Sequence, residues 1–308
     1  MHVFLTGGTG YIGSAVARAL LARGDSVTAL VRSEQSRSRL LRGVTAVPGD
    51  LDQPTDWLRH LPDHDALIHT AFPQHGRAWG EAVEIEQRFL SLLLTSPDVS
   101  KMPVIVSNGS IFLGDSGTDR LNESAPIEDD HPAASRAQSV ERIQALERGV
   151  ELRLASFVYG NGGSVFIPIL LNYARAHRRS LLVKGHEYVR TSALHVDAAA
   201  QAYLTILDQP TARGVFHVAS EEDPTTLDIA QAVARAAGPG CSVSAVDLEE
   251  AQQELDPFTA MFLSTNNRLS ASAIQSLGWS HRGFSSLVED VAQGSYVGND
   301  RSTFEKEG

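Results

Sequence analysis

Cysteine is almost missing from this chain: Cys241 is the only one. A single thiol can build neither a disulfide framework nor a thiolate metal cage, and it makes a reducing, cytoplasmic setting the expectation. Lysine is nearly as scarce, at positions 101, 184 and 306 only, while arginine and alanine abound, a skew that fits GC-rich coding. Basic charge is in deficit too. Lys and Arg number 26 against 37 Asp and Glu, a formal charge of −11, which argues against a broad electrostatic footprint for nucleic acid. No apolar run approaches the roughly 20 residues that a membrane span needs, so no membrane partner is expected. The first residues lead straight into a glycine loop with neither a basic leader nor an apolar run before it, which argues against a signal peptide. His60 and His64 have the spacing of a helical metal pair, but Pro62 interrupts the helix they would need. There is no G-x-S-x-G elbow to anchor a serine hydrolase, and no internal repeat.

What is present is alternation. The 308 residues, 42% of them hydrophobic, suffice for one large domain with a smaller companion. Short apolar runs at Val3–Leu5, Val27–Val31, Thr45–Val47, Ala66–His69, Val104–Ser107 and Glu151–Ala155 alternate with segments of helical period, the pattern of right-handed βαβ units on a parallel sheet. Helices are expected from Tyr11 to a stop at Gly24, over about 81–95 and 133–148, and later over 169–178, 223–238 and 270–292, with a strand at Phe216–Ala219. Gly162, Gly163 and Pro168 punctuate the chain after Gly160, and the stretch from Lys184–Gly185 to Thr191 reads as irregular. The fold class is therefore α/β: a Rossmann-type doubly wound parallel sheet with a smaller C-terminal α/β lobe.

The segment Thr6-Gly7-Gly8-Thr9-Gly10-Tyr11-Ile12-Gly13 lies between the first strand and an amphipathic helix. A dinucleotide pyrophosphate must approach backbone amides and a helix N-terminus closely, which residues without a Cβ permit. Thr6, Gly7, Gly10, Tyr11, Ile12 and Gly13 are thus candidate cofactor contacts. The second strand ends Ala29-Leu30-Val31-Arg32, with no acid to take both ribose hydroxyls of NAD. Arg32 can pair with a 2′-phosphate instead, which makes NADP(H) the expected cofactor. Asp50 and Leu51 after the third strand can bracket the adenine. Ala71 and Phe72 follow the fourth strand and Ser107 ends the fifth, at the sheet edge where such folds bind ligands. His69 reads as a packed strand residue.

With Val158-Tyr159-Gly160, His195-Val196-Asp197 and Leu277-Gly278-Trp279 added, the chain resembles, over almost its whole length, the extended short-chain dehydrogenase/reductases of the NAD-dependent epimerase/dehydratase type. The resemblance implies a dinucleotide-binding domain of residues 1–160 and 191–222, a substrate-binding lobe of 161–190 and 223–297, and a flexible tail, 298–308. It also implies a homodimer through the helices near 81–95 and 133–148, and a small-molecule substrate between the lobes.

The family's usual catalytic set is a serine or threonine after the fifth strand, then a tyrosine four residues before a lysine on the next helix. The tyrosine donates a proton to the carbonyl oxygen and the lysine lowers its pKa while holding the nicotinamide ribose. This chain departs from it. Arg136 stands at the lysine position, Pro132 at the tyrosine position, and no tyrosine occurs between Tyr11 and Tyr159. Counting back from Gly114 puts the usual serine position on Gly109, with Ser110 one residue late. By this resemblance Arg136 would hold the cofactor, although a guanidinium cannot titrate as an acid near neutral pH, and Ser110 would reach a substrate oxygen. His131, His195 and Tyr188, the last flanked by Lys184 and Arg190, are the remaining candidates for the proton. A hydroxyl beside the substrate carbonyl could also supply it. Tyr188 and Arg190 are further expected to contact substrate. The expected activity is an atypical NADP(H)-dependent ketoreductase acting on a bulky small molecule, similar to tailoring enzymes of bacterial aromatic polyketide (angucyclinone-type) metabolism. The alternative is a cofactor-binding protein without a redox step: a sensor, cyclase or isomerase.

Overall fold

The computed structural model describes residues 1–74, 76–99, 102–220 and 222–298; most of the expected tail, 298–308, lies outside them. Its centre is a seven-stranded parallel sheet. The strands are β1 (His2–Thr6), β2 (Ser26–Val31), β3 (Val44–Pro48), β4 (Ala66–His69), β5 (Val104–Asn108) and β6 (Gly149–Leu154), joined by β10 (Gly214–Val218). Their spatial order is β10-β6-β5-β4-β1-β2-β3, the doubly wound arrangement. Side chains alternate between the two faces, so a strand buried on both sides is mostly apolar. Val3 and Leu5 pack into one layer with Ile68 and Ile105, and Phe4 packs into the other with Leu67, Val104 and Val106.

The first layer is covered by helix α1 (Tyr11–Arg23), which ends at Gly24 as the sequence indicated, and by α7 (Val196–Leu207). The second is covered by α4 (Trp79–Thr95) and α5 (Ala134–Glu141), while the short helices α2 (Glu34–Ser38) and α3 (Pro54–Leu58) follow β2 and β3. Helix α5 is shorter than the expected 133–148. It passes at Arg142–Ala145 into a 3-10 turn, where buried Ile143 brings its carbonyl against Gly149 and drops the chain early into β6.

A second core gathers Phe157, Phe166, Leu170, Val183, Ile229, Phe262 and Val291. It is built from α6 (Phe166–His177), α8 (Thr226–Ala237), α9 (Leu248–Glu254), α10 (Pro257–Phe262) and two small parallel pairs. One pair is β7 (Phe157–Tyr159) with β9 (Ala193–His195), the other β8 (Arg179–Val183) with β11 (Ser242–Val246). Pro168, read as a break, sits in the first turn of α6, where a missing N–H is tolerated. The long helix expected over 270–292 is two short ones, α11 (Ser272–Ser276) and α12 (Leu287–Gln293). Between them buried Trp279 turns inward and donates its indole N–H to the Ala198 carbonyl at 3.0 Å.

Candidate functional site

β1 and β4 are neighbours at the point where the strand order reverses, so the chain leaves their carboxyl ends in opposite directions and opens a crevice there. The glycine loop follows β1 and the Thr70–Phe72 turn follows β4. Gly7 has φ +77°, and a Cβ on it would lie 2.6 Å from the Thr70 hydroxyl and 2.7 Å from the Ala71 amide. A Cβ on Gly13 would overlap the Gly7 carbonyl, which accepts the Gly10 N–H at 2.9 Å. The Thr70 hydroxyl donates to the Thr6 carbonyl at 2.8 Å and pins the two turns together. Gly10 caps α1 with no side-chain hydrogen bond, which leaves the helix's first amides for an anion. These residues fit a dinucleotide pyrophosphate.

Tyr11 points the other way. Its hydroxyl donates to the Gly160 carbonyl at 2.8 Å, and burial pushes its phenol far above the usual range. Arg32 is exposed directly after β2. Leu51 is buried, and the Asp50 carbonyl accepts the Trp57 indole N–H at 2.9 Å.

Arg136 is placed differently from what the resemblance implies. Its Nε and one terminal nitrogen grip both oxygens of Glu86 at 2.9 and 2.8 Å, and the same nitrogen reaches the Ser107 carbonyl at 3.1 Å. The other terminal nitrogen donates to Asn108 Oδ1 at 2.7 Å. A guanidinium has five N–H donors, so a single one is left for any cofactor oxygen. Glu86 is wholly buried on α4. Burial alone would raise its pKa, but Arg136 and His69 hold it below the usual carboxylate range. The network continues beneath the site, for Asn108 donates to buried Glu151 at 2.8 Å, and Glu151 pairs with buried Arg153 at 2.9 Å. Above it, the Arg136 guanidinium lies 4.5 Å from the centre of the Phe72 ring.

Ser110 is 1% exposed and donates to Asn267 Oδ1 at 2.7 Å; Ser156 does the same at 2.8 Å. A substrate oxygen must therefore displace Asn267 before it can use this hydroxyl. The Ser107 hydroxyl shares a 2.7 Å hydrogen bond with Tyr203. Gly109, by contrast, is exposed, with open space where a Cβ would stand. His69 is fully buried between Thr6 and Glu86, at 2.6 and 3.3 Å. His131 accepts the Ala133 amide through Nδ1, and burial lowers its pKa. His195 caps α7 and stacks on Phe284. Tyr188 is 78% exposed, and Arg190 donates to the Asp223 carbonyl at 2.8 Å. The structure thus joins Arg136, Phe72 and Ser107, while Ser110, Tyr188 and Arg190 have partners or exposure of their own.

Sequence reasoning passed over Glu86, Asn108 and Asn267. Glu86 carries a signal, being an acid inside the stripe Val83, Ile85, Phe89, Leu90, Leu93 that α4 buries. Asn267 has none, because it reaches the site from a segment 157 residues beyond Ser110.

Residues 7–126 match the NAD(P)H-binding family model. An uncharacterized protein of Schizosaccharomyces pombe is 29% identical over 301 residues, 96% of this chain and 100% of that protein. The 4-hydroxy-2-methyl-3-oxo-4-farnesyl-3,4-dihydroquinoline-1-oxide ketoreductase of Stigmatella aurantiaca is 28% identical over 215 residues, 66% of this chain and 64% of that enzyme. Among solved structures, the Thermus thermophilus UDP-glucose 4-epimerase complex with NAD gives a TM-score of 0.73 at 21% identity, covering 97% of this chain and 100% of the other. A human epimerase family protein with NADPH gives 0.72 at 20% identity, covering 96% and 99%. The fold is that of the NAD(P)-binding extended short-chain dehydrogenases and NAD-dependent epimerases.

Proposed function

We infer that the protein is an NADP(H)-dependent ketoreductase that works without the usual tyrosine acid. The observation that carries this reading is the crevice between the glycine loop and the Thr70–Phe72 turn, with the start of α1 open to an anion and Arg32 exposed at the end of β2. The ketoreductase name of the Stigmatella aurantiaca relative supports the reaction class, and NADPH in one structural neighbour supports the cofactor.

In this reading the amides of Tyr11, Ile12 and Gly13 receive the pyrophosphate, with Thr6, Gly7 and Gly10 shaping their approach. Arg32 pairs with the 2′-phosphate, while Asp50 and Leu51 flank the adenine. Ala71, Phe72 and Ser107 border the nicotinamide end, and the last Arg136 N–H steadies the ribose. A bound reduced nicotinamide supplies a hydride. The chain's own residues orient the ketone for that transfer and keep water out. The proton comes from a hydroxyl of the substrate beside its carbonyl, or from Ser110 once Asn267 releases it; Tyr188 and Arg190 flank the substrate.

The test is stopped-flow oxidation of NADPH with 1-hydroxy-2-acetonaphthone and its methyl ether. Turnover that methylation abolishes and that survives Ser110→Ala places the proton on the substrate. No oxidation of NADPH with any ketone contradicts the reading.

A second reading keeps the cofactor and drops the redox step, as in a sensor, cyclase or isomerase. It is favoured by the internal partners of Arg136 and Ser110, which leave no free acid at the usual positions. Binding of NADPH whose absorbance no ketone changes would support it.

A further inference from the structure

Three tryptophans are present, and two are settled: Trp57 donates to the Asp50 carbonyl and Trp279 to the Ala198 carbonyl. Trp79 differs. Its indole Nε1 is buried with no hydrogen-bond partner, although the residue as a whole is partly exposed. An unpaired buried N–H is a standing penalty that phenylalanine would not carry, so the large ring needs a reason to be there.

Its surroundings supply one. Trp79 opens α4, and its ring lies 4.9 Å from Phe72, the residue under the Arg136 guanidinium at the carboxyl edge of the sheet. On its other side it meets Phe258 of α10, in the second core, at 6.4 Å. Phe258 continues to Phe262 at 4.9 Å and keeps 39% of its surface exposed. A row of rings therefore starts beside Arg136, passes through partly exposed Trp79 and Phe258, and runs on into the second core at buried Phe262. The Phe72–Trp79 and Trp79–Phe258 pairs tilt at 53° and 42° and are not stacked flat on one another. Arg120 and Arg268 pair with the Asp223 carboxylate and Arg190 with its carbonyl, so these three cations would have to leave their partners to take a diphosphate.

We propose that Trp79 and Phe258 form a stacking site for a planar aromatic ring joined to the ketone, so that the substrate class is an aryl ketone and not a nucleotide sugar. Aromatic pairs gain from offset or edge-to-face contact beyond the area they bury, and a saturated ring of the same size cannot make that contact. The proposal deepens the reductase reading and rests on it for what happens at the carbonyl, but not for binding.

The experiment is calorimetry on protein saturated with NADP+, where no reduction occurs, with 2-acetonaphthone and its saturated decalin counterpart. The aryl ketone binds at least 10-fold more tightly. Trp79→Ala and Phe258→Ala each remove that preference, with little change for the saturated ketone. Trp79→Phe keeps part of it and raises the midpoint of thermal unfolding, because the orphan N–H is gone; this variant guards against misfolding in the alanine pair. Equal affinity for the two ketones overturns the proposal, as does an unchanged preference in both alanine variants. Selective binding without NADPH oxidation upholds the stacking site and contradicts the reductase reading. Equal oxidation of NADPH with both ketones, at equal affinity, does the reverse.

Discussion

Arg136 illustrates how one residue's role is set by its neighbours. A lysine at this position is a flexible point charge, whereas an arginine is a planar fork that matches a carboxylate, and Glu86 meets it with both oxygens. Glu86 is fully buried and ionised, so Glu86→Gln leaves a cation without its counterion at about 3–5 kcal/mol of stability. Because the folded-state pKa of Glu86 lies below the unfolded value near 4.5, its contribution is complete above that pH and is lost as the pH falls through the lower folded value. Denaturant titrations from neutral pH down to acid should therefore show the difference between wild type and Glu86→Gln shrinking as acidity rises. A constant difference across that range would contradict the assignment. Glu86 shows in the sequence as an acid within the apolar stripe of α4, but its link to Arg136 could not be read from spacing, since the two lie 50 residues apart.

At the scale of elements, the segment that follows α12 is tied to the start of α1 through a single turn. Gly160 has φ +112° and leaves room for the His195 ring, where a Cβ would collide. The Gly160 N–H donates to the Tyr296 hydroxyl at 2.8 Å, Tyr296 donates to the Gly163 carbonyl, and Ser295, held by Asp290, accepts the Gly162 N–H at 2.8 Å. Tyr11 rests on this turn from the opposite side. Tyr296→Phe strips the partner from a buried amide, a loss of about 1–3 kcal/mol. The expected result is a lower unfolding midpoint together with several-fold weaker NADPH binding, although Tyr296 lies in the second core; unchanged cofactor affinity would show the turn to be merely structural.

The elements of the main sheet were legible because most of its strands are short apolar runs next to a helical period, and the glycine loop stood out by its place between a strand and a helix. Less of the second core was. β11 is a serine-rich, half-exposed strand whose partner β8 lies 63 residues earlier, a pairing no local pattern encodes. The expected helix over 270–292 failed because Trp279 is pulled into the first core. The fifth and sixth strands, by contrast, were placed to within a residue or two.

The whole molecule is a sheet domain, with the crevice between its glycine loop and the Thr70–Phe72 turn, and a second core that the Trp79–Phe258 contact joins to it. Its acidic surface, −11 overall, repels a cofactor that is itself an anion, so affinity has to come from the local geometry of α1 and from Arg32. That makes the energetics of cofactor docking the foundation of the account. Calorimetric titration of wild type, Gly13→Val and Arg32→Ala with NADPH and NADH tests it most directly. The account predicts binding to wild type with NADPH preferred, no binding to Gly13→Val, and a loss of about 10- to 100-fold for NADPH but not NADH in Arg32→Ala, as expected for one charge-assisted contact. Absence of heat with both nucleotides, or an affinity that Gly13→Val leaves intact, would contradict it.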